Sequence, residues 1–179
     1  MLNPKIRAKR LQAEHDRVRG LHDRKGLVAI ETVLGKPPDR YVFRFICRGI
    51  ASVSGGEPVY SQEHRVAVLL TNTYPTTAPL MEWLTPIFHP NIRSDGQAVC
   101  IGSWYPAKTL DQLVMMFGEM IQYRNYASHD PLNLEASLWA MSHKELLPVD
   151  RRLLLEPHLR APFARPALAG DREPEIRLF

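Results

Sequence analysis

Residues 88–107 read FHPNIRSDGQAVCIGSWYPA, and their apolar residues follow neither a helical nor a strand period. Long connections without secondary structure are uncommon in compact domains and are often functional. A cysteine in such a connection, Cys100, can reach solvent and serve as a nucleophile. Acyl transfer at a thiol also needs a donor to the developing oxyanion and a group that helps the attacking amine to lose its proton. The polar candidates nearby in the sequence are His89, Asn91, Asp95, His129 and Asp130.

Helical and strand patterns precede this stretch. Asn3 and Pro4 predict a helix start, as N-cap and first helical residue, and we expect that helix to end between Gly20 and Gly26. Four strand-like segments follow, at residues 27–34, 40–50, 64–71 and 80–84. Residues 52–58 are rich in turn formers. Because only short breaks separate the strands, we expect an antiparallel meander.

Helices are predicted again after the stretch. Thr109 and Gln112 form a capping box at the start of a helix whose apolar residues recur at helical spacing. A second helix is predicted from Leu132 to Met141, and a last one from Val149 to Leu155. This order of helix, strands, long loop and helices is typical of an α+β domain.

Composition limits the class of protein. The chain has 179 residues, a net charge of +4 and two cysteines, which excludes a disulfide framework; Cys47, in mid-strand, is interpreted as a core residue. We expect one domain at residues 1–147, followed at residues 148–179 by a C-terminal helix and a loosely ordered tail rich in proline and arginine. No apolar stretch is long enough to cross a bilayer, and the N-terminus lacks the apolar part of a secretory signal, so a cytoplasmic location is predicted.

Basic residues are concentrated before Lys25. Such a cluster could contact nucleic acid or an acidic protein surface, or could be a solvated helix face. No aromatic–basic interleaving or nucleic-acid motif supports nucleic-acid binding. The spacing of His89, Cys100 and His129 matches no usual zinc pattern, so neither a metal nor another cofactor is predicted.

Five short motifs occur in an order that carries a family resemblance. They are Tyr74-Pro75 with Pro79, Phe88-His89-Pro90-Asn91, Gly96 with Val99-Cys100, Trp104-Tyr105-Pro106-Ala107 and Asp130-Pro131-Leu132-Asn133. In this order they resemble the ubiquitin-conjugating enzyme family over about residues 2–141, and the basic opening helix fits the same family. The resemblance implies an α+β fold with an N-terminal helix, a four-stranded antiparallel meander, a long active-site loop and C-terminal helices.

The resemblance also implies catalytic roles. Cys100 would accept the C-terminal carboxyl of a ubiquitin-like protein from an activating enzyme, as a thioester, and pass it to an amine of a target protein. Asn91 would donate to the oxyanion or hold the active-site loop in shape, and His89 would be structural. Asp130 would orient or deprotonate the incoming lysine.

Partner surfaces are implied as well. The basic first helix, with Arg7, Lys9 and Arg10, would dock the activating enzyme. Tyr105 and Pro106 would keep part of the surface that binds ligases in this family. Neither a membrane nor a nucleic acid is implied as a partner.

The sequence departs from the family pattern in three places. The spacing from Asn91 to Cys100 is one residue longer than is common, only three residues separate Cys100 from Trp104, and Thr76 stands where many ligase-binding members carry a large apolar residue. The shortened loop trims one wall of the cleft beside the cysteine. Such divergence resembles the prokaryotic conjugating enzymes of ubiquitin-like operons, some of which act in phage defence.

Plainer interpretations stay open beside these. The chain could be a catalytically silent binding module of the same fold that presents a ubiquitin-like protein, although the presence of Cys100 and Asn91 argues against this. Asp130 could be only a helix-entry residue before Pro131. His129 is interpreted as a surface residue of the loop, and Trp104 as a packing residue.

Overall fold

The computed structural model of the chain describes residues 3–22, 27–126 and 129–149. In chain order, the elements are helix α1 (Pro4–His22), strands β1 (Val28–Gly35), β2 (Pro38–Phe45), β3 (Gly49–Ser54), β4 (Glu57–Ser61), β5 (His64–Leu69) and β6 (Leu80–Trp83), helices α2 (Leu110–Ile121) and α3 (Leu134–Ser142), and a 3-10 turn (Lys144–Leu146). Strands β1, β2, β5 and β6 form one antiparallel sheet in that order, and β3 pairs with β4 as a separate hairpin. The predicted α+β fold, with its N-terminal helix, four-stranded meander and C-terminal helices, is confirmed.

The inner face of the sheet follows from the alternation of apolar residues in its central strands. Tyr41, Phe43 and Phe45 of β2 are buried, and Phe43 lies opposite the buried Val66 of β5. Successive side chains of a strand point to opposite faces, so one face of β2 meets the core. Helix α2 covers this face with a buried stripe made of Leu110, Leu113, Val114, Phe117, Met120 and Ile121. Each such side chain contributes about 1.5–3 kcal/mol through burial.

Helix starts are set by local hydrogen bonds. The side chain of Asn3 accepts a bond from the backbone N–H of Lys5 at 2.9 Å, immediately before the first turn of α1. At α2, the backbone N–H of Thr109 donates to Oε1 of Gln112 at 3.1 Å as part of the predicted capping box. Both predicted starts are therefore confirmed, because each cap satisfies amide groups that the helix leaves without partners.

A buried carboxylate joins α1 to α2. The side chain of Glu14 is fully buried and accepts hydrogen bonds from the Tyr74 hydroxyl at 2.7 Å and from the backbone N–H of Leu110 at 2.9 Å. Arg10, one turn earlier on α1, pairs with the same carboxylate. An unpaired buried charge is costly, and here three donors and the positive end of the α2 dipole offset that cost.

The hairpin β3–β4 was not predicted. The expected second strand, residues 40–50, is wrong at its end, since β2 stops at Phe45 and a new strand begins at Gly49. The expected turn-rich break over residues 52–58 contains the hairpin turn, but strand residues lie on both sides of it. The hairpin supports the C-terminal part of the domain, because Tyr60 donates to the Leu146 carbonyl at 2.6 Å and Trp139 donates to the Gly56 carbonyl at 2.9 Å.

The remaining expectations concern helix bounds and the C-terminal part. The helix predicted from Leu132 begins instead at Leu134, where the side chain of Asn133 provides the N-cap. The helix predicted at residues 149–155 and the tail lie outside the described residues, apart from Val149, so the domain boundary at 147 stays a prediction. Within the described ranges, no helix combines the length and the apolar character that a bilayer crossing requires.

His64 is a buried histidine at the start of β5. A Cβ added at Gly49 would lie 2.6 Å from Nε2 of His64, so only glycine fits at that position of β3. Burial lowers the pKa of His64 to about 4, and the nearby charge of Glu63 opposes this shift only in part. The imidazole is therefore neutral in the folded protein at neutral pH.

We expect this histidine to make the protein sensitive to acid. The unfolded chain binds a proton at His64 near pH 6.5 and the folded chain only near pH 4, so the free energy of unfolding falls as the pH drops through this window. One such proton corresponds to a slope of about 1.4 kcal/mol per pH unit. Urea denaturation of His64→Leu between about pH 6 and pH 4.5 should show a slope smaller than the wild type by about that amount. A slope in His64→Leu equal to that of the wild type would contradict the assignment.

Candidate active site

The segment from Asn91 to Cys100 closes on itself. The backbone N–H of Cys100 donates to the Asn91 carbonyl at 2.7 Å, and Ile92 pairs with Val99. A tight turn centred on Gly96 completes the loop, with a φ of +75° that favours glycine. A Cβ there would also lie 2.6 Å from the carbonyl oxygen of Trp83. The stretch predicted to be irregular is therefore a compact loop whose two ends meet at Asn91 and Cys100.

Asn91 is fully buried beside the backbone of the cysteine. Its side-chain amide donates to the Cys100 carbonyl at 3.5 Å, and its own backbone N–H donates to Nδ1 of His89 at 3.1 Å. Cys100 itself is half-buried, whereas Cys47 lies in the core as predicted. The only thiol that reaches the surface in the described residues is thus next to an oriented amide.

His89 is buried and uncharged at neutral pH. Burial lowers its pKa to about 3. Nδ1 accepts the bond from Asn91, and the ring packs edge-on against Tyr123 with centroids 4.7 Å apart. These contacts support the expected structural role, since the acceptor nitrogen is already occupied within the loop.

The turn at residues 88–91 is held by Tyr123, which the sequence analysis did not single out, and by Asn133, which it quoted only as part of a motif. Tyr123, directly after α2, has a φ of +53° and donates its hydroxyl to the Phe88 carbonyl. The backbone N–H of Asn133 donates to the Pro90 carbonyl at 3.1 Å, while its side chain caps α3 by accepting from Ala136 N at 3.0 Å. The asparagine before a helical pattern was a usable signal for the cap, but no sequence pattern indicated either long-range bond.

Asp130 and His129 are both exposed. They lie shortly before Asn133, whose bond to Pro90 attaches the start of α3 to the same turn as Asn91. The exposure of His129 agrees with its interpretation as a surface residue. Asp130 is open to solvent.

The chain after the cysteine is short and tightly held. Nε1 of Trp104 donates to the Pro75 carbonyl at 2.8 Å, and its ring lies 5.8 Å from that of Tyr74, which confirms Trp104 as a packing residue. Tyr105 and Pro106 are exposed beyond it. Lys108 is buried, with only 7% of its surface exposed.

The three basic residues of α1 that were expected to bind a partner differ in their surroundings. Arg7 donates to the carbonyls of Leu70 and Thr71 at 2.9 and 3.1 Å. Arg10 pairs with Glu14 and donates to the Lys108 carbonyl at 2.8 Å. Lys9 is exposed. Two of the three therefore contribute to the fold itself, and Lys9 presents its charge to solvent.

Metal binding was not expected, and the part of the chain that the structure describes contains no group of three histidine, cysteine or acidic side chains arranged to hold a metal ion.

Known proteins resemble this chain in sequence. The NEDD8-conjugating enzyme UBC12 of Eremothecium gossypii is 32% identical over 90 residues, which is 48% of this chain and 47% of that protein. The SUMO-conjugating enzyme UBC9 of Caenorhabditis elegans is 28% identical over 79 residues, 41% of this chain and 46% of that protein. This chain therefore spans about half the length of the curated relatives that it matches.

Solved structures resemble it in fold. The E2 domain of a ubiquitin conjugating enzyme from Toxoplasma gondii superposes with a TM-score of 0.54 at 23% identity, over 78% of this chain and 89% of that one. A structure described as a novel ubiquitin-conjugating enzyme gives a TM-score of 0.57 at 16% identity, over 78% and 88% of the two chains. A family model described as ubiquitin-conjugating enzyme matches residues 47–147, more than half of the chain and the whole stretch from Asn91 to Asn133. The chain belongs to the ubiquitin-conjugating enzyme family.

Proposed function

We propose that this chain accepts the C-terminal carboxyl of a ubiquitin-like protein as a thioester on Cys100 and transfers it to an amine of a target. The observation that carries the proposal is the half-buried thiol of Cys100, whose backbone is held by both the carbonyl and the side-chain amide of Asn91. A reactive cysteine must be reachable and fixed in position, and Cys100 meets both requirements.

The reaction consists of two acyl transfers. In the first, the Cys100 thiolate attacks the thioester carbonyl on an activating enzyme, a new C–S bond forms, and the other thiolate leaves. In the second, a neutral amine attacks the Cys100 thioester, the C–N bond forms, the Cys100 thiolate leaves, and the amine gives up a proton. Each transfer passes through a tetrahedral oxyanion, which a side-chain amide such as that of Asn91 stabilises when it lies within hydrogen-bond distance.

Asp130 is the proposed proton acceptor for the amine. A free lysine has a pKa near ~10.4, so at neutral pH it is mostly protonated and not nucleophilic. A carboxylate near the cysteine favours proton loss during the attack. The attachment of Asn133 to Pro90 supports this role, because it holds the segment after Asp130 against the turn that leads to Asn91.

The partners follow from the exposed groups. Lys9 on α1 is the basic residue that we propose for docking an activating enzyme, and Tyr105 and Pro106 form an exposed rim beyond the cysteine. The relatives named for NEDD8 and SUMO conjugation support a ubiquitin-like protein as cargo without indicating which one. A prokaryotic conjugation system, a part in phage defence and a cytoplasmic location stay predictions.

We expect Cys100 to be charged in a thioester assay with ATP, a matching activating enzyme and its ubiquitin-like protein. A higher band that disappears with thiol reductant should form with wild type, and Cys47→Ala should keep it because Cys47 is buried away from the loop. Cys100→Ala should give no band, and Cys100→Ser should give a band that resists reductant, since an oxyester replaces the thioester. If no pair of activating enzyme and ubiquitin-like protein charges the wild type, the silent binding module becomes the better interpretation.

Asn91→Ala should separate the two transfers. We expect discharge to free lysine to slow by on the order of 100-fold, because the amide that faces the developing oxyanion is lost. Charging should fall less, because a thiolate is a stronger nucleophile than an amine and its attack depends less on stabilisation of the oxyanion. Single-turnover rates of both steps measure this, with the exposed Asn72→Ala as the matched control. Equal losses in both steps, together with a lower melting temperature, would assign Asn91 a purely structural role.

Lys9 and Arg10 should behave differently although they are neighbours. Lys9→Glu should raise the KM for the activating enzyme by about 10-fold in low salt without changing the melting temperature, because its charge is exposed. Arg10→Ala should lower the free energy of unfolding by about 2 kcal/mol, because the buried Glu14 carboxylate and the Lys108 carbonyl lose a donor. Charging kinetics and urea denaturation of both variants test this contrast. A destabilised Lys9→Glu, or an Arg10→Ala as stable as wild type, would contradict it.

A further inference from the structure

A lysine side chain lies buried in the wall of the active-site loop. Lysine is almost never fully buried without partners, yet Lys108 exposes only 7% of its surface. Its ammonium does not extend to solvent but donates to the carbonyls of Ile101 and Ser103, at 3.2 and 3.4 Å. Both acceptors belong to the three residues between Cys100 and Trp104. The charge is therefore directed into the shortened segment that follows the nucleophile.

The bond from Lys108 to the Ile101 carbonyl acts on the backbone one residue after Cys100. A peptide unit is planar, so a bond to the Ile101 carbonyl orients the whole unit that joins Ile101 to Gly102. On the other side, the N–H and the carbonyl of Cys100 are both bonded to Asn91. The backbone of the nucleophile is thus held from upstream by Asn91 and from downstream by the Lys108 ammonium.

The backbone of Lys108 is fixed independently of its side chain. Its N–H donates to the Tyr105 carbonyl at 2.9 Å, and its carbonyl accepts from Arg10 of α1 at 2.8 Å. Arg10 is itself held by the buried carboxylate of Glu14. The Lys108 side chain consequently extends toward the loop from a backbone that is already fixed, so its hydrogen bonds hold the loop in place.

If Lys108 had only a structural role, any partner that neutralised its positive charge would be enough. Burial lowers the pKa of the Lys108 amine, so the desolvated ammonium is a cost to the fold. An apolar side chain of similar length would fill the same space without this cost. The two bonds to loop carbonyls are what an apolar residue could not provide, and they act on the part of the chain where position matters for acyl transfer.

We propose that Lys108 is a positioning residue of the conjugation site, which fixes the loop at residues 101–103 and thereby the nucleophile Cys100. The proposal rests on the proposed role of Cys100 in thioester transfer. It adds a specific device: one buried ammonium bonds two carbonyls of the three-residue segment after Cys100. Loss of this device should misplace the thioester for attack while the sheet and α2 remain folded.

The test compares three variants with wild type. Lys108→Met removes the charge at similar length, Lys108→Arg keeps a cation with donors, and Lys144→Met removes an exposed lysine as the matched control. The first readout is the rate at which iodoacetamide alkylates Cys100 in the native protein, with peptide mass spectrometry and the buried Cys47 as internal reference. The second is discharge of the thioester at increasing lysine concentration, which separates the maximal rate from the concentration that gives half of it.

In Lys108→Met, we expect iodoacetamide to alkylate Cys100 about 3-fold faster or more, because the loop is released. The thioester should discharge about 10-fold more slowly at saturating lysine, with little change in the lysine concentration that gives half the maximal rate. Lys108→Arg should recover most of both effects, and Lys144→Met should match wild type. A folded Lys108→Met with wild-type alkylation and discharge would overturn the proposal, as would an Arg variant that is no better than Met.

Unfolding and failure of the proposed function can both be recognised. If Lys108→Met unfolds, Cys47 becomes reactive as well, and the comparison then uses Lys108→Gln, whose shorter, uncharged side chain should give smaller changes in the same directions; a folded Gln variant identical to wild type in both readouts would also overturn the proposal. Alkylation needs no activating enzyme. If the wild type never charges, the conjugation activity is rejected, while the alkylation rates still decide whether Lys108 holds the loop around Cys100.

Discussion

The carboxylate of Glu14 is fully buried, and its three donors come from three separate parts of the chain. Arg10 lies on the same helix, Tyr74 on the connection between β5 and β6, and Leu110 on the first turn of α2. Removing any one of them leaves a buried charge with too few partners, which is far more costly than losing a bond at the surface. These elements are therefore fixed relative to one another, and the start of α2 fixes the end of the loop that carries Cys100.

The other end of that loop is held by a second set of bonds. Tyr123 at the end of α2 holds the Phe88 carbonyl, and Asn133 at the start of α3 holds that of Pro90. The irregular backbone between the sheet and α2 thus receives one donor from the side-chain hydroxyl of Tyr123 and one from the backbone N–H of Asn133, at the helix start where amide groups lack partners within the helix. Cys100 lies between two fixed ends, and this explains how a loop without regular structure can keep the proposed nucleophile in one position.

The sequence was sufficient where apolar periodicity or a cap decides the structure. The alternation of Tyr41, Phe43 and Phe45 predicted β2, and Thr109 with Gln112 predicted the start of α2. It was not sufficient where a buried polar group has its partners far away in the sequence. Glu14 lies one turn from Arg10, so in the sequence the two residues resemble a surface ion pair on a helix. The bond of Glu14 to Leu110, however, spans 96 residues. Lys108 likewise looks like a solvated lysine. Periodicity reports which apolar side chains are buried, and it carries no information on polar side chains that tertiary contacts satisfy. The β3–β4 hairpin was missed for a related reason, since only Gly49 and Ile50 of its two short strands are buried.

The departures in spacing from the common family pattern leave the contact between Asn91 and Cys100 intact. The extra residue before Cys100 falls within a loop closed by the pairing of Ile92 with Val99, so Cys100 still meets Asn91 across the loop. The missing residues fall after Cys100, where the bonds of Lys108 to the loop carbonyls join the shortened segment to α1 through Arg10. Both changes therefore affect the loop segments that flank Cys100, and the side-chain amide of Asn91 keeps its contact with the Cys100 backbone. On the proposed function, the wall that these segments form holds Cys100 in position and is also the surface that an incoming amine would meet, so divergence of this kind bears on both the rate of discharge and the choice of acceptor.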